Sequence, residues 1–513
     1  MSLNKNIQAV AFQKQQQAEN YLSQGKLEAA YAICQNILTE SPNFAPAHNT
    51  QGKVLQAMGK IESAIASYYQ AIKLNPQEIE TYQKLGDLLV EQKLLKQAII
   101  CYKTAIKFHS KESFFHHKLG LVLMQLQNWD EAVDNFCSAI KLNPNFSWSY
   151  NKLGEAFIKL KQWNKAIIAY RHFIEINPNL YISYKNLGDA LIQLSKWDEA
   201  IAAYQRAIEI NPNFYSAHHN LGEALIQLEK WSEAVAVYQF AITHKSQHNF
   251  YQKLGYVLKQ LSRLDEAANI YQKAIQIKPD NFWNYEALLQ IYMLQNQWSE
   301  ASVCLKKSLE INTNYQDFGI KLGYAKEKVV ALTYDDGPNQ LYTHQILNVL
   351  DSCQVKATFF FIGKYIEKYP ELVKLTLVRG HELANHSYSH RNMAVESPEL
   401  IKSEIEKTDL LLRQLYVTNT IRFRPPYGRQ SPELIELILQ MQKQLIMWNV
   451  DSEDYLQKHS AESIANKVIN HVRNGSIILL HDKSYKTVKA TEIIIKNLKN
   501  KGYSFKTVSD ILT

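Results

Sequence analysis

Residues 147–180, SWSYNKLGEAFIKLKQWNKAIIAYRHFIEINPNL, form one unit of a pattern that recurs about every 34 residues through the first three-fifths of the 513-residue chain. The unit contains two helical stretches, Ser147–Leu160 and Trp163–Ile176, in which apolar residues recur at positions i, i+3 and i+4. One unit cannot bury its own apolar face, so neighbouring units must stack to form a core. The pattern therefore predicts an all-α superhelix of paired helices with a long concave groove.

Small residues and prolines keep one register from unit to unit. Glycine and alanine stand where two helices must approach closely, and proline ends the second helix of each pair. The recurring glycines are Gly52, Gly86, Gly120, Gly154, Gly188, Gly222 and Gly255. The pattern resembles the tetratricopeptide (TPR) repeat, and the resemblance covers residues 8–313, or about nine repeats. It implies that a protein partner binds in the groove.

Two other positions recur with the same period. Tryptophans share one position between the paired helices, and this spacing favours packing over a sugar-stacking platform: Trp129, Trp163, Trp197, Trp231 and Trp298. Two residues before the glycines stand Lys84, Lys118, Lys152, Asn186, Asn220 and Lys253. These residues are either a ladder that binds an extended peptide or an acidic glycan, or a solvated helix face.

Neither the histidines upstream of residue 327 nor the cysteines of the chain predict a metal site. The adjacent pairs His116–His117 and His218–His219 point apart on a helix, which predicts surface imidazoles. The five cysteines of the chain lie far apart without a CxxC spacing, so a reducing compartment is expected.

Composition limits the function classes. Hydrophobic residues make up 46% and charged residues 21% of the chain, which is typical of a globular protein. The net charge of +8 is spread without a Lys/Arg block, so we expect no nucleic-acid partner. No apolar run approaches the ~18 residues of a membrane span, and residues 1–20 lack the apolar core of an export signal. A cytoplasmic location is therefore expected.

The helical period ends near residue 327. Strand-like runs at 329–334, 357–362, 446–450 and 477–480 alternate with helical stretches at 343–351, 398–416, 432–441 and 461–473. This alternation predicts a parallel α/β sheet or distorted (β/α) barrel over residues 327–513, with its active site at the carboxyl ends of the strands. Residues 314–326 are predicted to be a rigid junction or capping helix, with Leu322–Gly323 as part of a last half-repeat.

Polar motifs follow these strands. They are TYDDGP at 333–338, NHSYSH at 385–390, RFRPPYG at 422–428, WNVDSEDY at 448–455 and LLHD at 479–482. Each motif alone could be a surface turn, a stiff loop or a structural residue pair. Together, in this order, they resemble the polysaccharide deacetylases, the NodB-homology enzymes of carbohydrate esterase family 4.

The resemblance implies a catalytic centre. Asp336, His386 and His390 would bind a divalent metal, most often zinc, with cobalt, nickel or manganese as alternatives for this ligand set. Asp335 would be the general base that activates water, and His481 the general acid that protonates the departing amine.

Further residues complete the implied site. The backbone N–H of Tyr427 would stabilise the oxyanion, while Leu479 and Tyr455 would line the pocket for the acetyl methyl group. Arg424 would contact the base, and Asp454 would hold Arg424. The chain departs from the family at Arg391, where proline is frequent, and at Tyr455, where tryptophan is usual. These departures bear on substrate choice more than on reaction type.

The resulting prediction is a metal-dependent hydrolase that removes N-acetyl groups from oligo- or polysaccharides containing N-acetylglucosamine. Because no export signal is visible, a cytoplasmic saccharide precursor, lipid-linked glycan or oligosaccharide intermediate is expected rather than mature peptidoglycan. Two alternatives stay open: an O-acetyl esterase acting on xylan-like glycans, and a TPR scaffold whose deacetylase domain is inactive.

Overall fold

The computed structural model describes residues 2–313, 317–324, 327–415, 417 and 421–512. It forms two compact units, Met1–Asn220 and Leu221–Thr513. No helix in the described part of the chain is both long enough and apolar enough to cross a membrane. All five cysteines are free thiols.

The first unit is built from antiparallel helix pairs. Its helices are α1 (Ser2–Ser23), α2 (Leu27–Glu40), α3 (Ala45–Ala57), α4 (Ile61–Leu74), α5 (Ile79–Glu91), α6 (Leu95–Phe108), α7 (Ser113–Gln125), α8 (Trp129–Leu142), α9 (Ser147–Lys159), α10 (Trp163–Ile176), α11 (Tyr181–Ile192) and α12 (Trp197–Ile210). Helix α13 (Tyr215–Gln227) spans the boundary between the units. The second unit continues with α14 (Trp231–His244), α15 (His248–Gln260), α16 (Leu264–Ile277), α17 (Phe282–Leu294) and α18 (Trp298–Ile311). Eighteen helices thus precede residue 312, which confirms the predicted all-α repeat region.

Packing within a pair explains the repeated residues. A Cβ on Gly120 of α7 would lie 2.6 Å from the ring of Phe136 on α8, and Phe136 is fully buried, so only glycine allows this approach. The recurring tryptophans are the first residues of α8, α10, α12, α14 and α18. Trp231 is 9% exposed, and the other four are partly buried. This position agrees with packing rather than with an exposed sugar platform.

Several of the recurring Lys and Asn residues make contacts between adjacent repeats. Lys118 Nζ lies 2.8 Å from Asp87 Oδ1, a carboxylate of the preceding repeat that also accepts a hydrogen bond from Tyr102 at 2.9 Å. In the second unit, Lys253 Nζ lies 2.9 Å from Glu223. These two lysines therefore tie adjacent repeats together, whereas Lys152 pairs with Glu155 in its own helix.

The histidine prediction for the repeats is wrong at two positions. His117 is 8% exposed and His218 is 4% exposed, so neither is a surface imidazole. Ring Nδ1 of His117 lies 3.0 Å from Ser149 Oγ, and the ring packs against Phe146. Both residues occupy packed positions between helices, which the adjacency of two histidines does not reveal.

The second unit also contains a parallel α/β domain. Its strands are β1 (Val329–Asp335), β2 (Thr358–Phe361), β3 (Glu382–Asn385), β4 (Val450–Asp451), β5 (Ser476–His481) and β6 (Ser504–Phe505). Its helices are α19 (Tyr342–Ser352), α20 (Gly363–Lys368), α21 (Pro370–Val378), α22 (Pro398–Gln414), α23 (Pro432–Gln440), α24 (Ala461–His471), α25 (Tyr485–Asn500) and α26 (Val508–Leu512). The order is β3-β2-β1-β5-β4, all pairs are parallel, and β6 pairs with β1. All seven residues of β1 are buried, as expected for a strand covered on both faces.

Single-residue bridges continue the sheet beyond β3. Phe423 bridges Asn385 on one side and Leu445 on the other, and Ile320 bridges Ile446. Leu322 then bridges Ser476 at the start of β5, so the ladder returns to the sheet. This arrangement fits the predicted distorted (β/α) barrel.

The predicted capping helix is wrong for the described part of the junction. Residues 317–324 are extended, and Ile320 N donates to Leu445 O at 2.9 Å while Met447 N donates to Ile320 O at 2.8 Å. Leu322–Gly323 consequently belongs to the barrel rather than to a half-repeat. The α/β domain begins before the predicted boundary at 327; residues 314–316 and 325–326 lie outside the described residues.

The last repeats contact the α/β domain within the second unit. Asn474 Nδ2 donates to Glu229, and Gln444 Nε2 donates to the carbonyl of Met293 at 3.4 Å. The Gln430 side chain donates to Phe318 O at 2.8 Å and accepts from Phe318 N at 2.9 Å. The turn before α14, helix α17 and the junction are therefore held to the domain by polar contacts.

Candidate active site

The predicted catalytic residues lie at one edge of the sheet. Asp335 ends β1, His386 directly follows β3, and His481 ends β5 directly opposite Asp335 in the strand register. Because the carboxyl ends of parallel strands meet at the same edge, these side chains converge on a cleft of about 820 Å³. The cleft is lined by residues that include Asp335, Asp336, His386, His390, Tyr427, Trp448, Asp454, Tyr455, Leu479, His481 and Lys483.

The three predicted metal ligands form one cluster. Potential ligand atoms of Asp336, His386 and His390 all lie within 4.8 Å of one another. Asp336 Oδ1 is 3.4 Å from His386 Nε2 and 2.8 Å from His390 Nε2. The loop after β3 brings the two imidazoles together through positive φ angles at Ser387 and His390, so the H-x-x-x-H spacing is not helical here.

The chemistry of this cluster fits a cation. His386 Nδ1 lies 2.8 Å from the carbonyl oxygen of Arg424, which can only accept, so the proton is assigned to Nδ1 and the lone pair of Nε2 faces Asp336. Asp336 Oδ1 is buried and has no hydrogen-bond partner among the described residues. A carboxylate oxygen and imidazole nitrogens thus converge where a divalent ion would be stable.

The general-base candidate is held by a buried guanidinium. Arg424 is 0% exposed, and its Nη1 donates to Asp335 Oδ1 at 2.7 Å. Its remaining hydrogen bonds go to Thr333 Oγ1 at 2.8 Å and to the carbonyls of Ile446 and Met447 at 3.1 Å. This is the contact with the base that the family resemblance implies.

The predicted role of Asp454 is wrong. Among the described side chains, Asp454 pairs with His481 and not with Arg424: its Oδ1 lies 2.7 Å from His481 Nδ1, and its Oδ2 accepts from the backbone N–H of His481 at 2.8 Å. The cause is strand order, since Asp454 follows β4, the neighbour of β5, whereas Arg424 lies beyond β3. Burial lowers the pKa of His481, but Asp454, with help from the charges of Asp335 and Asp336, raises it to about 9.

The remaining predicted residues lie around the cleft. Leu479 is 3% exposed, whereas Tyr455 is 56% exposed and its ring centroid lies 5.7 Å from that of His481. The Tyr427 ring packs 4.6 Å from that of His390, and its backbone has a φ of 62°. Arg391, the departure after the histidine pair, forms an ion pair with Glu396 at 3.6 Å.

Two residues of the site were not predicted. Lys483 lies within the cleft, and its ammonium contacts Asp336 Oδ2. Asp482 is fully buried behind the site, and its carboxylate contacts Thr343. Asp482 and Lys483 are the two residues after His481 at the end of β5, so their position in the chain indicated that they lie near the site. Neither residue type alone indicated a role.

Family models match both parts of the chain. A polysaccharide deacetylase model matches residues 323–446. Tetratricopeptide models match segments between residues 52 and 318, among them 52–93, 120–161, 188–229 and 258–318. The predicted two-part architecture is therefore confirmed.

Related proteins share the α/β domain. A peptidoglycan-N-acetylglucosamine deacetylase of Bacillus cereus is 35% identical over 191 residues, which cover 36% of this chain and 89% of that protein. A peptidoglycan-N-acetylmuramic acid deacetylase of Bacillus subtilis is 36% identical over 185 residues, covering 36% of this chain and 39% of that one. A family 4 acetyl xylan esterase of Clostridium thermocellum, solved with a cobalt ion, is 36% identical with a TM-score of 0.34, covering 36% of this chain and 90% of that one. With its α/β domain placed after a tetratricopeptide array, the chain belongs to the polysaccharide deacetylase family.

Proposed function

We propose that this protein is a metal-dependent N-deacetylase acting on glycans that contain N-acetylglucosamine. The observation that carries the proposal is the convergence of Asp336 Oδ1 with the imidazoles of His386 and His390, beside a buried Asp335–Arg424 pair. The names of the two related peptidoglycan deacetylases support the choice of an N-acetyl sugar.

Each residue has a distinct part in the proposed reaction. A divalent ion bound by Asp336, His386 and His390 would supply Lewis acidity and acidify water. Asp335, held in place by its hydrogen bond from Arg424, takes the proton of the attacking water. His481, held by Asp454 and protonated at neutral pH, donates a proton to the departing amine.

Further parts of the proposal concern binding. One carboxylate and two imidazoles suit zinc, although cobalt, nickel or manganese would also be accepted by this donor set. The backbone N–H of Tyr427 is assigned to the oxyanion, and Leu479 and Tyr455 to the acetyl methyl group. Leu479 is buried at the cleft wall while Tyr455 is largely exposed, so Tyr455 has room to contact the sugar.

Acetate release tests the proposed activity. Full-length protein, stripped of metal and resupplied with zinc, should release acetate from chitopentaose. His386→Ala should lose bound metal and activity, whereas Asp335→Asn should retain metal and turn over about 10²–10⁴-fold more slowly. If acetylxylan is hydrolysed and chitopentaose is not, the protein is an O-acetyl esterase; if neither is, its deacetylase domain is inactive.

The repeats and the location complete the proposal. The repeat region is assigned to a protein partner, because tetratricopeptide models match it along most of its length. A partner that binds the full chain should be lost when residues 8–212 are removed. The cytoplasm is proposed as the location, since three of the five free thiols are buried without a disulfide partner. Recovery of the native protein in the cell-wall fraction would contradict it.

A further inference from the structure

Asp482 lies behind the candidate metal site, without facing the cleft. It follows His481 at the end of β5 and is 0% exposed. A Cβ built on Gly337 would overlap the Asp482 carboxylate, so this carboxylate lies directly against the backbone of Gly337. Since Gly337 follows Asp336 in the chain, Asp482 supports the turn that carries the first of the three metal ligands.

The same turn is held from its other side through Thr343, which is fully buried in the first turn of α19. The Thr343 hydroxyl donates to Asp482 Oδ2 and accepts the backbone N–H of Asn339 at 2.7 Å. The Asn339 side chain in turn accepts the N–H of Tyr342 at 3.0 Å. Residues 337–339 are therefore fixed between the end of β5 and the start of α19.

Asp336 needs such support because of its backbone conformation. Its φ is 77°, in the left-handed region that residues with a Cβ rarely adopt. Backbone hydrogen bonds hold the flanking residues: Asp482 N donates to Asp335 O at 3.3 Å, and Ile362 N donates to Gly337 O at 2.8 Å. A conformation of this kind persists only where the surrounding structure determines it.

Asp482 also carries an unpaired polar atom. Its Oδ1 is buried without a hydrogen-bond partner among the described residues. Burial, together with the charge of Asp336, raises the pKa of Asp482 to about 7. An unpaired buried carboxyl group is destabilising, so packing alone would favour an apolar residue here.

We propose that Asp482 is a positioning residue that fixes the 336–339 turn and so holds Asp336 in the geometry required for cation binding. The inference rests on the proposed metal-dependent function. Asp482 does not touch the candidate ligand atoms; it acts through Gly337 and Thr343.

Metal affinity of the full-length protein tests this role. Zinc dissociation constants are measured by competition with a chromophoric chelator for the wild type, Asp482→Asn, Asp482→Ala, Gly337→Ala and the Asp482→Ala/Gly337→Ala double variant. Asp482→Ala should weaken zinc binding about 10- to 100-fold, the usual scale for a partner of a metal ligand. Asp482→Asn should stay within about threefold of wild type, because the amide has the same shape and can still accept from Thr343.

The double variant separates positioning from general damage. Gly337→Ala should weaken zinc binding in the wild-type background, because its Cβ meets the Asp482 carboxylate. In the Asp482→Ala background the same change should cost little, since that carboxylate is gone; such non-additivity indicates direct coupling. If Gly337→Ala weakens zinc binding by the same factor in both backgrounds, the proposed action of Asp482 through Gly337 is overturned.

Thermal unfolding of the metal-free proteins checks that each variant folds. If Asp482→Ala does not fold, Thr343→Val and Gly337→Ala carry the test, and unchanged zinc affinity in both would overturn the inference. Wild-type affinity in a folded Asp482→Ala variant would overturn it as well, while leaving the proposed function intact. A wild-type protein that binds no zinc would overturn both.

Discussion

The ion pair between Asp454 and His481 sets the pH range that we expect for the proposed deacetylation. A general acid must be protonated to act, so the rate falls as pH rises above its pKa. Asp454 raises the pKa of His481 to about 9, and Asp454→Asn should therefore move the alkaline limb of the kcat–pH profile downward by about one unit or more. Profiles of acetate release for the two proteins check this shift.

Asp451 provides the matched control for that shift. It is also a carboxylate of the cleft, but it accepts hydrogen bonds from Glu453 N and the Tyr455 hydroxyl. Asp451→Asn should leave the alkaline limb within a few tenths of a pH unit. Equal shifts in both variants would show that the effect is one of general charge rather than of the His481 contact.

Lys483 places a positive charge against Asp336, one of the candidate metal ligands, where it would compete with a bound cation. Its ammonium contacts Asp336, while its side chain is 56% exposed. Lys483→Met should strengthen zinc binding about two- to fivefold, the scale of a partly exposed ion pair, because a competing cation is removed. Chelator competition measures the change. Lys486→Met is the control, since Lys486 donates to the Gln457 carbonyl, and a similar gain there would contradict the specific contact.

The single residues of the site were predictable to different degrees. The candidate ligands and proton carriers stand in sequence motifs, so the resemblance named residues that the structure brings together in one cleft. The partner of Asp454 was not predictable, because it depends on β4 lying beside β5. The role of Asp482 depends on a contact with Thr343, 139 residues away in the chain, which leaves no local pattern.

The β2–β3 pair contains a histidine that must stay neutral. His381, directly before β3, is 3% exposed, and its Nδ1 accepts the backbone N–H of Ala357 at 3.2 Å. Burial lowers the pKa of His381 to about 4, below the ordinary value of about 6.5 that it regains on unfolding. The unfolded chain therefore binds the proton first as pH falls.

His381 should consequently make the fold sensitive to acid. Its contribution to stability is full above pH 6.5 and is lost toward pH 4, by about 1.4 kcal/mol per pH unit within that window. In His381→Gln this part of the pH dependence should disappear, as measured by urea midpoints between pH 7 and pH 4.5. His471→Gln alters an exposed imidazole and should leave the dependence unchanged; an identical slope in His381→Gln would contradict the assignment.

The extended segment 317–324 is a structural element of the α/β domain. It buries Phe318 to 1% and Ile320 to 2% exposure, and it hydrogen-bonds to Leu445, Met447 and Gly475. A chain of residues 327–513 should therefore be less stable than one of residues 317–513, by about 3–6 kcal/mol for two buried apolar side chains. Guanidinium midpoints of the two chains measure the difference, and equal midpoints would show that the segment is dispensable.

Helices and strands were predictable where the sequence has a clear helical period or a continuous apolar run. The runs at 329–334 and 477–480 became β1 and β5 because they are continuous and apolar, as buried parallel strands are. Strand β3 (Glu382–Asn385) begins and ends with polar residues, and β6 has only two residues, so neither gives such a run. Residues 317–324 pair through isolated bridges, and their leucine–glycine pair was mistaken for the repeat.

At the scale of the molecule, both halves were predictable but their attachment was not. The repeats and the α/β domain each carry a signature in the chain, one periodic and one made of ordered motifs. The contact between Glu229 and Asn474 joins residues 245 positions apart, and that between Met293 and Gln444 joins residues 151 apart. Such contacts follow from complementary surfaces in the folded state rather than from any pattern in the sequence.

These contacts predict that the last repeats and the α/β domain unfold together. The second compact unit begins at Leu221 and includes α14–α18, so we expect the boundary between cooperative unfolding units to lie inside the repeat region rather than at residue 314. A chain of residues 213–513, cut at the turn before α13, should unfold in a single calorimetric transition at a higher temperature than residues 317–513. Glu229→Ala should lower that temperature, because it leaves the buried Asn474 amide without its acceptor. Two separate transitions in the 213–513 chain would instead show that the repeats are an independent domain.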